Sequence, residues 1–303
     1  MKKTICILGF GYIATFLAER LSSLAFNITG TSRNQQRCEH YSSRGYRIVP
    51  FDAMNVEPLL QQATHLFIAT PPCQTQGDPV LAYFLPLLEK HCRQWQWVGY
   101  ASSTGVYGDH QGAWVDETAN SQNPGLRGNL RLEAEMAWEN IANKFSLPLH
   151  IFRLAGIYGP RRNAFNEILN GKTHSVYKDG QFFARIHVED IIKIIVASIQ
   201  KPNPGSIYNV ADDLPASPHE VDQYATELLN RNPLPILPFE DTVLSLMAAE
   251  FYNNNRRVNN AKIKHEFKLE LTYPSYKQGL LQLYQSKELT DKVILFRSLK
   301  LES

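Results

Sequence analysis

Ile5-Cys6-Ile7-Leu8-Gly9-Phe10-Gly11-Tyr12-Ile13-Ala14 is a short apolar strand running into Gly-x-Gly-x-x-Ala. Each small residue has a physical task. Gly9 lets the chain turn sharply off the strand, Gly11 lets a pyrophosphate touch the backbone, and Ala14 lets the next helix pack closely on the strand. That helix then aims its free amides and positive dipole end at the phosphates. An ordinary glycine turn would lack the surroundings found here: Thr4–Leu8 precedes the motif, and Phe16, Leu17, Leu21 and Leu24 follow at near-helical spacing. The stretch reads as a dinucleotide-binding turn, with Gly9, Phe10, Gly11, Tyr12 and Ile13 against the ligand.

A carboxylate about 20 residues further on would grip the adenosine ribose of NAD. None is present. The second strand, Asn27-Ile28-Thr29-Gly30-Thr31, ends in Ser32-Arg33-Asn34. A hydroxyl followed by a guanidinium suits a 2′-phosphate, because arginine offers phosphate oxygens a planar fork of donors. The plainer reading of Arg33 is a solvated loop residue. The pattern favours NADP(H) over NAD(H).

The 303 residues allow one large or two modest domains with a sizeable core. A net charge of +2 makes no electrostatic case for nucleic acid or a membrane surface. Met1-Lys2-Lys3 is followed by an apolar run of only Ile5–Phe10, and no stretch approaches the roughly 20 apolar residues of a membrane span. Cys6, Cys38, Cys73 and Cys92 are far apart and form no Cys-x-x-Cys, which fits free thiols in a reducing cytoplasm. The histidines show no zinc spacing, so no metal is expected.

Strand-like runs at Ile5–Leu8, Ile28–Thr31, Arg47–Val49, Leu66–Ala69, Trp97–Ala101 and His150–Phe152 alternate with helical patterns such as Leu81–His91 and Leu130–Phe145. Continuous apolar strands separated by helices predict a doubly wound parallel sheet of the Rossmann type, covered on both faces. Ser206–Val210, after the helix Ile191–Ile199, is expected to join it. From Asp212 onward, prolines and Asn253-Asn254-Asn255 interrupt short helical pieces. The predicted organisation is a dinucleotide-binding domain over 1–159, completed by 187–211. A smaller substrate domain covers 160–186 and 212–290, and 291–303 form a tail.

Four further motifs carry a resemblance. They are Ser102-Ser103-Thr104-Gly105-Val106-Tyr107-Gly108, Arg153-Leu154-Ala155-Gly156-Ile157-Tyr158-Gly159-Pro160, Ile186-His187-Val188-Glu189-Asp190 and Tyr208-Asn209-Val210-Ala211-Asp212. With the glycine turn they run in the order found in the extended short-chain dehydrogenase/reductases, also called NAD-dependent epimerase/dehydratases, which this chain resembles. Val115-Asp116-Glu117-Thr118 resembles the family's acidic turn, and Arg257-Val258-Asn259-Asn260-Ala261-Lys262 its C-terminal element.

The resemblance breaks at one place. The family carries Tyr-x-x-x-Lys on the helix after the acidic turn, a spacing that sets both side chains on one face. Aligning Leu132-Glu133-Ala134-Glu135 puts Arg127 at the tyrosine position and Arg131 at the lysine position. Arg131 can still hydrogen-bond a ribose. Arg127 cannot replace the phenol, because a guanidinium stays protonated and has no acceptor.

The resemblance makes Ser103 the residue that hydrogen-bonds a substrate oxygen; its structural alternative is a hydroxyl capping nearby backbone. Tyr107 and Tyr158, in loops at strand ends, could each supply a phenol, although a free phenol is a poor base. His187 reads as a base or, more simply, as a packed histidine. Asp52 resembles an aspartate near the adenine, or forms a turn. Ala69-Thr70-Pro71-Pro72 lies where backbone approaches the cofactor. Arg161, Arg162 and Arg185 are expected to face the cleft and an anionic small-molecule substrate. Arg185 abuts Ile186 directly, unlike the arginine of sugar-nucleotide enzymes. Two functions remain open: an NADP(H)-dependent oxidoreductase or epimerase-like enzyme with an altered acid/base, and a catalytically silent NAD(P)(H)-binding redox sensor or regulatory protein. The resemblance also implies a homodimer through the helix after the acidic turn.

Overall fold

A computed structural model describes residues 3–244 and 246–286. The strands are β1 (Thr4–Leu8), β2 (Asn27–Ser32), β3 (Arg47–Pro50), β4 (His65–Ile68), β5 (Trp97–Ser103), β6 (Trp114–Val115), β7 (Leu149–Leu154), β8 (Gly156–Tyr158), β9 (Ser175–Tyr177), β10 (Arg185–His187), β11 (Ser206–Val210), β12 (Ile236–Pro238) and β13 (Arg257–Val258). The helices are α1 (Tyr12–Ser23), α2 (Gln35–Ser42), α3 (Ala53–Gln62), α4 (Pro79–His91), α5 (Gly125–Phe145), α6 (Ala164–Leu169), α7 (Val188–Gln200), α8 (Pro218–Leu228), α9 (Leu246–Tyr252), α10 (Ala261–Phe267) and α11 (Tyr276–Gln285).

Seven strands form one sheet in the order β11-β7-β5-β4-β1-β2-β3, and every pairing in it is parallel. The two-residue period of β1 explains its place at the centre. Ile5 and Ile7 face a core built with Ala14, Leu17 and Leu21 of α1 and Ile191, Ile194 and Ile195 of α7. Cys6 and Leu8 face the opposite core, with Val56 and Leu59 of α3, Phe84 and Leu88 of α4 and Trp138 of α5. Each such aliphatic or aromatic side chain contributes about 1.5–3 kcal/mol by leaving water. Only a sheet with helices on both faces buries a strand that is apolar on both sides.

The chain runs from β1 outward to β2 and β3, then returns to place β4 on the other side of β1. That reversal opens a crevice at the carboxyl ends of β1 and β4, where ligands sit in such sheets. Beyond β7 the chain leaves the sheet and returns to it only with β11. Short parallel pairs β8/β10, β9/β12 and β6/β13, with α6, α8 and α11, build a second lobe over the crevice. Its small core contains Tyr158, Phe165, Ile168, Val221, Ala225, Tyr276 and Leu280. The six strand-like runs of the first half and Ser206–Val210 all appear in the central sheet. The expected tail, 291–303, lies outside the described residues, as do 287–290. Among the described residues, no helix is long and apolar enough to cross a membrane.

Candidate functional site

A cleft of about 1090 Å3 runs between the carboxyl ends of the sheet and the second lobe. One end is the glycine turn. Gly9 has φ of +99°, and a Cβ there would lie 2.9 Å from both the backbone nitrogen and the Cγ2 of Thr70. The turn is stitched to β2: Gly9 N donates to Thr31 Oγ1 (3.2 Å) and Phe10 N to Thr31 O (2.7 Å). Phe10 sends its ring away from the cleft into the core, against Tyr41, so its contribution to a ligand is limited to backbone. Gly11, Tyr12, Ile13, Ala69, Pro71 and Pro72 line the cleft.

Three observations test whether this end suits a dinucleotide. A Cβ on Gly11 would meet only Gly9 O, at 4.0 Å, so the space above the turn is open. The first turn of α1 has neither an acidic residue nor a side-chain cap, which leaves its dipole end available to an anion. Thr70 Oγ1 is buried without a hydrogen-bond partner among the described residues. The residues fit a pyrophosphate.

At the adenosine end, Arg33 is exposed just after β2. Ser32 Oγ accepts a hydrogen bond from Asn34 N (3.2 Å), which forms a local turn. Asp52 is exposed and caps α3, its Oδ1 accepting from Asn55 N at 3.0 Å. The Asn55 side-chain and backbone donors hold its carboxyl below the usual range. Asp52 is therefore a helix cap, and it does not line the cleft.

Further along, Ser103 ends β5 and Gly128 lets α5 approach it. A Cβ on Gly128 would stand 2.5 Å from Gly105 O, so only glycine permits this contact. One helical turn later, Arg131 Nη1 donates to Ala101 O (2.8 Å) and Tyr100 Oη (3.3 Å). Ser103 Oγ accepts from Gly105 N (3.0 Å), capping the turn Thr104–Tyr107, and it also lines the cleft. Both readings of Ser103 thus describe one hydroxyl.

Arg127 lies at the mouth. Its backbone N–H donates to Glu250 Oε1 (3.1 Å), and its Nε is 3.9 Å from Glu250 Oε2. Glu250, on α9, supplies the acidic cap that the N-terminus of α5 lacks in its own sequence.

The tyrosines read differently in the structure. Tyr107 is buried, donating to Asn209 Oδ1 (2.6 Å) and accepting from Arg153 Nη1 (3.0 Å). Arg153 also grips Glu135, the nearest N···O distance being 2.8 Å, and Glu135 accepts from Ser102 Oγ. Glu117 Oε1 accepts from Asn209 N (2.7 Å). Polar residues of four sequence motifs and α5 thus close one buried network behind the cleft. Burial pushes the Tyr107 phenol up, against the opposing charge of Arg153. It is a structural strut, not a free acid/base. Tyr158 lines the cleft but donates to Ser275 O (3.3 Å), and burial followed by Asp212 pushes its phenol up. A phenol shifted that way is a worse base.

His187 is packed. Its Nδ1 accepts from Glu189 N (3.3 Å) at the start of α7, its ring lies against Tyr158 and Tyr273, and burial pushes its pKa down to about 4.

Two of the expected substrate arginines are not available. Arg161 is exposed outside the cleft lining, with φ of +61°. Arg185 lines the cleft, but its Nη1 donates to Phe183 O (2.9 Å) and Ala216 O (2.7 Å), tying the guanidinium to backbone. The sequence reading missed Arg256, which lines the cleft. Its Nη1 donates to Gly108 O (2.8 Å), its Nε is buried without a partner, and burial lowers its pKa to about 10. Its position directly before the Arg257–Lys262 element was the available signal; nothing in the sequence pointed to Glu250. Among the described residues, no three His, Cys, Asp or Glu side chains group to hold a metal ion.

Residues 82–211 match the model of the NAD dependent epimerase/dehydratase family. Protein YeeZ of Escherichia coli K12 is 29% identical over 239 residues, 71% of this chain and 79% of that protein. A functionally unknown conserved protein from Silicibacter pomeroyi has a solved structure that is 43% identical, with a TM-score of 0.86 over 93% of this chain and 98% of that one. UDP-glucuronic acid 4-epimerase from Bacillus cereus, solved in complex with NAD, shares the fold at a TM-score of 0.73, with 16% identity over 97% of this chain and 99% of that one. Glycine turn, ordered motifs and sheet order agree with this match: residues 82–211 carry the pattern of the NAD dependent epimerase/dehydratase family, and the chain as a whole shares the fold of the solved epimerase.

Proposed function

We propose that the protein is an NADP(H)-dependent oxidoreductase or epimerase-like enzyme acting on a small anionic substrate, with an altered acid/base site. The observation that carries this reading is the single cleft shared by the glycine turn, Ser103 and Arg131. The dinucleotide, when bound, supplies a hydride donor or acceptor. The chain's own groups do the rest. The glycine turn and α1 hold the pyrophosphate, and Arg131 offers a donor to a ribose hydroxyl. Ser103 Oγ donates to a substrate oxygen. Arg256, a partly buried cation with an unused Nε, favours an anionic substrate, because an unpaired charge in a low-dielectric site is costly. The resemblance implies that Arg127 stands where the family carries its tyrosine, which would remove the ordinary proton carrier.

One observation favours a second reading, a catalytically silent redox sensor. Tyr107 and Tyr158, which could have supplied a phenol, both hold their hydroxyls in internal hydrogen bonds.

Cofactor choice tests the first reading. A charge-assisted hydrogen bond from Arg33 to a 2′-phosphate is worth about 1.5–3 kcal/mol, or roughly 10- to 100-fold in affinity. Calorimetric titration is expected to show NADP(H) bound at least about tenfold more tightly than NAD(H). Arg33→Ala is expected to erase most of that difference while leaving NAD affinity nearly unchanged. Equal affinities in the unmodified protein overturn the NADP assignment.

A further inference from the structure

We propose that Arg162 is a phosphate clamp, reaching from the second lobe to the part of the dinucleotide pyrophosphate remote from the adenosine. This rests on the dinucleotide reading of the cleft and extends it to a residue outside the glycine turn.

The turn carrying Arg162 is held rigidly. Gly159 N donates to Arg162 O (2.9 Å), and Arg162 N donates back to Gly159 O (3.1 Å). Asn163 Nδ2 donates to the same Gly159 O (2.9 Å) while Asn163 Oδ1 accepts from Asn166 N at the start of α6. In this tight reversal Arg161 takes a φ of +61° and lies outside the cleft lining, whereas Arg162, also exposed, is part of it.

The same turn is docked on the glycine motif. Tyr12 Oη donates to Pro160 O (2.9 Å), and the Arg162 guanidinium lies 5.8 Å from the centroid of the Tyr12 ring. Tyr12 is the first residue of α1, so the cation stands beside the helix end that already favours an anion. The nearby carboxylate Glu167 is paired with Lys172, and Arg162 forms no ion pair among the described residues. Two positive features from distant parts of the chain therefore converge on one space, and the second has no counter-charge of its own.

Topology decides which phosphate is meant. In the sheet, β2 and β3 lie on one side of β1 and carry Arg33 at the adenosine end. The Arg162 turn follows β8, which the chain reaches from β7 on the opposite side. It approaches the pyrophosphate from the far side.

Calorimetric titration of the full chain and of Arg162→Ala with three ligands tests this. NADPH and ADP-ribose contain the pyrophosphate; adenosine 2′,5′-bisphosphate carries a 2′-phosphate and a 5′-phosphate, and so only the adenosine-side half of the pyrophosphate. The expected result is a loss of about tenfold or more for NADPH and ADP-ribose, and of less than about twofold for the bisphosphate. Arg162→Lys should retain part of the affinity, as a point charge without the planar fork. Unchanged ADP-ribose affinity in Arg162→Ala, or an equal loss for all three ligands, overturns the clamp and leaves the dinucleotide reading standing. Failure of the unmodified protein to bind any of the three overturns the dinucleotide reading, and the clamp with it.

Discussion

The two ends of the cleft use their polar groups in opposite ways. At the glycine turn, the end of α1 is uncapped, and neither Arg162 in the cleft lining nor exposed Arg33 beyond it forms an ion pair among the described residues. At the other end, the equally polar Tyr107, Arg153, Glu135, Asn209 and Glu117 satisfy one another inside the protein. Ordered motif residues are therefore not all ligand-binding residues. A buried polar group must find a partner on folding, so those behind the cleft are committed to the fold. Those at its lip are not, and these are the groups a ligand can recruit.

The largest expected effect is at the uncommitted end. Gly11→Val should abolish dinucleotide binding, a loss of more than about 100-fold, because the new side chain occupies the open space above the turn. Circular dichroism should show the variant folded; unchanged NADPH affinity in it would remove the phosphate site from this turn.

The committed end should respond in stability instead. Glu135→Ala strands the Arg153 guanidinium, which is nearly inaccessible to solvent, and should cost about 3–5 kcal/mol in urea unfolding. A cost below about 1 kcal/mol would show that the network is not the strut described, since that is the range of an exposed pair.

A smaller effect is a slope with pH. His187 and His65 are both buried, with pKa values pushed down to about 4, chiefly by burial. The unfolded chain binds protons on these rings that the folded chain refuses. Their contribution is complete above about pH 6.5 and is lost as pH falls toward about 4, with a slope near 1.4 kcal/mol per pH unit for each ring. His187→Asn keeps a helix-capping side chain. It should flatten the acid-side stability profile by about one proton. An unaltered slope would mean that His187 is protonated in the folded protein.

The smallest expected effect is none. Arg127→Tyr combined with Arg131→Lys should not create turnover of a UDP-sugar. Glu250 would still hold the start of α5, and a reaction needs positioning as well as a proton carrier. Robust epimerisation by the double variant would show that the pocket still fits such a substrate.

The α/β class, the seven strands of the sheet and the glycine turn were readable by themselves, because each rests on local periodicity or on adjacent residues. Gly9 and Gly11 announce a turn whatever surrounds them, and the strand Ile5–Leu8 is apolar on both faces wherever it lies. Other features needed the tertiary structure. Arg161 and Arg162 are neighbours of the same chemistry, and only the reciprocal bonds of the 159–162 turn decide which one faces the cleft. Tyr107 looked as free as any loop tyrosine until Asn209, 102 residues away, was brought to its hydroxyl. Glu250 and Arg127, 123 residues apart, meet at the mouth for the same reason. Periodicity reports which way a side chain points from its own strand or helix. What it meets there depends on packing between distant segments, and that is set only when the whole chain has closed around its cores.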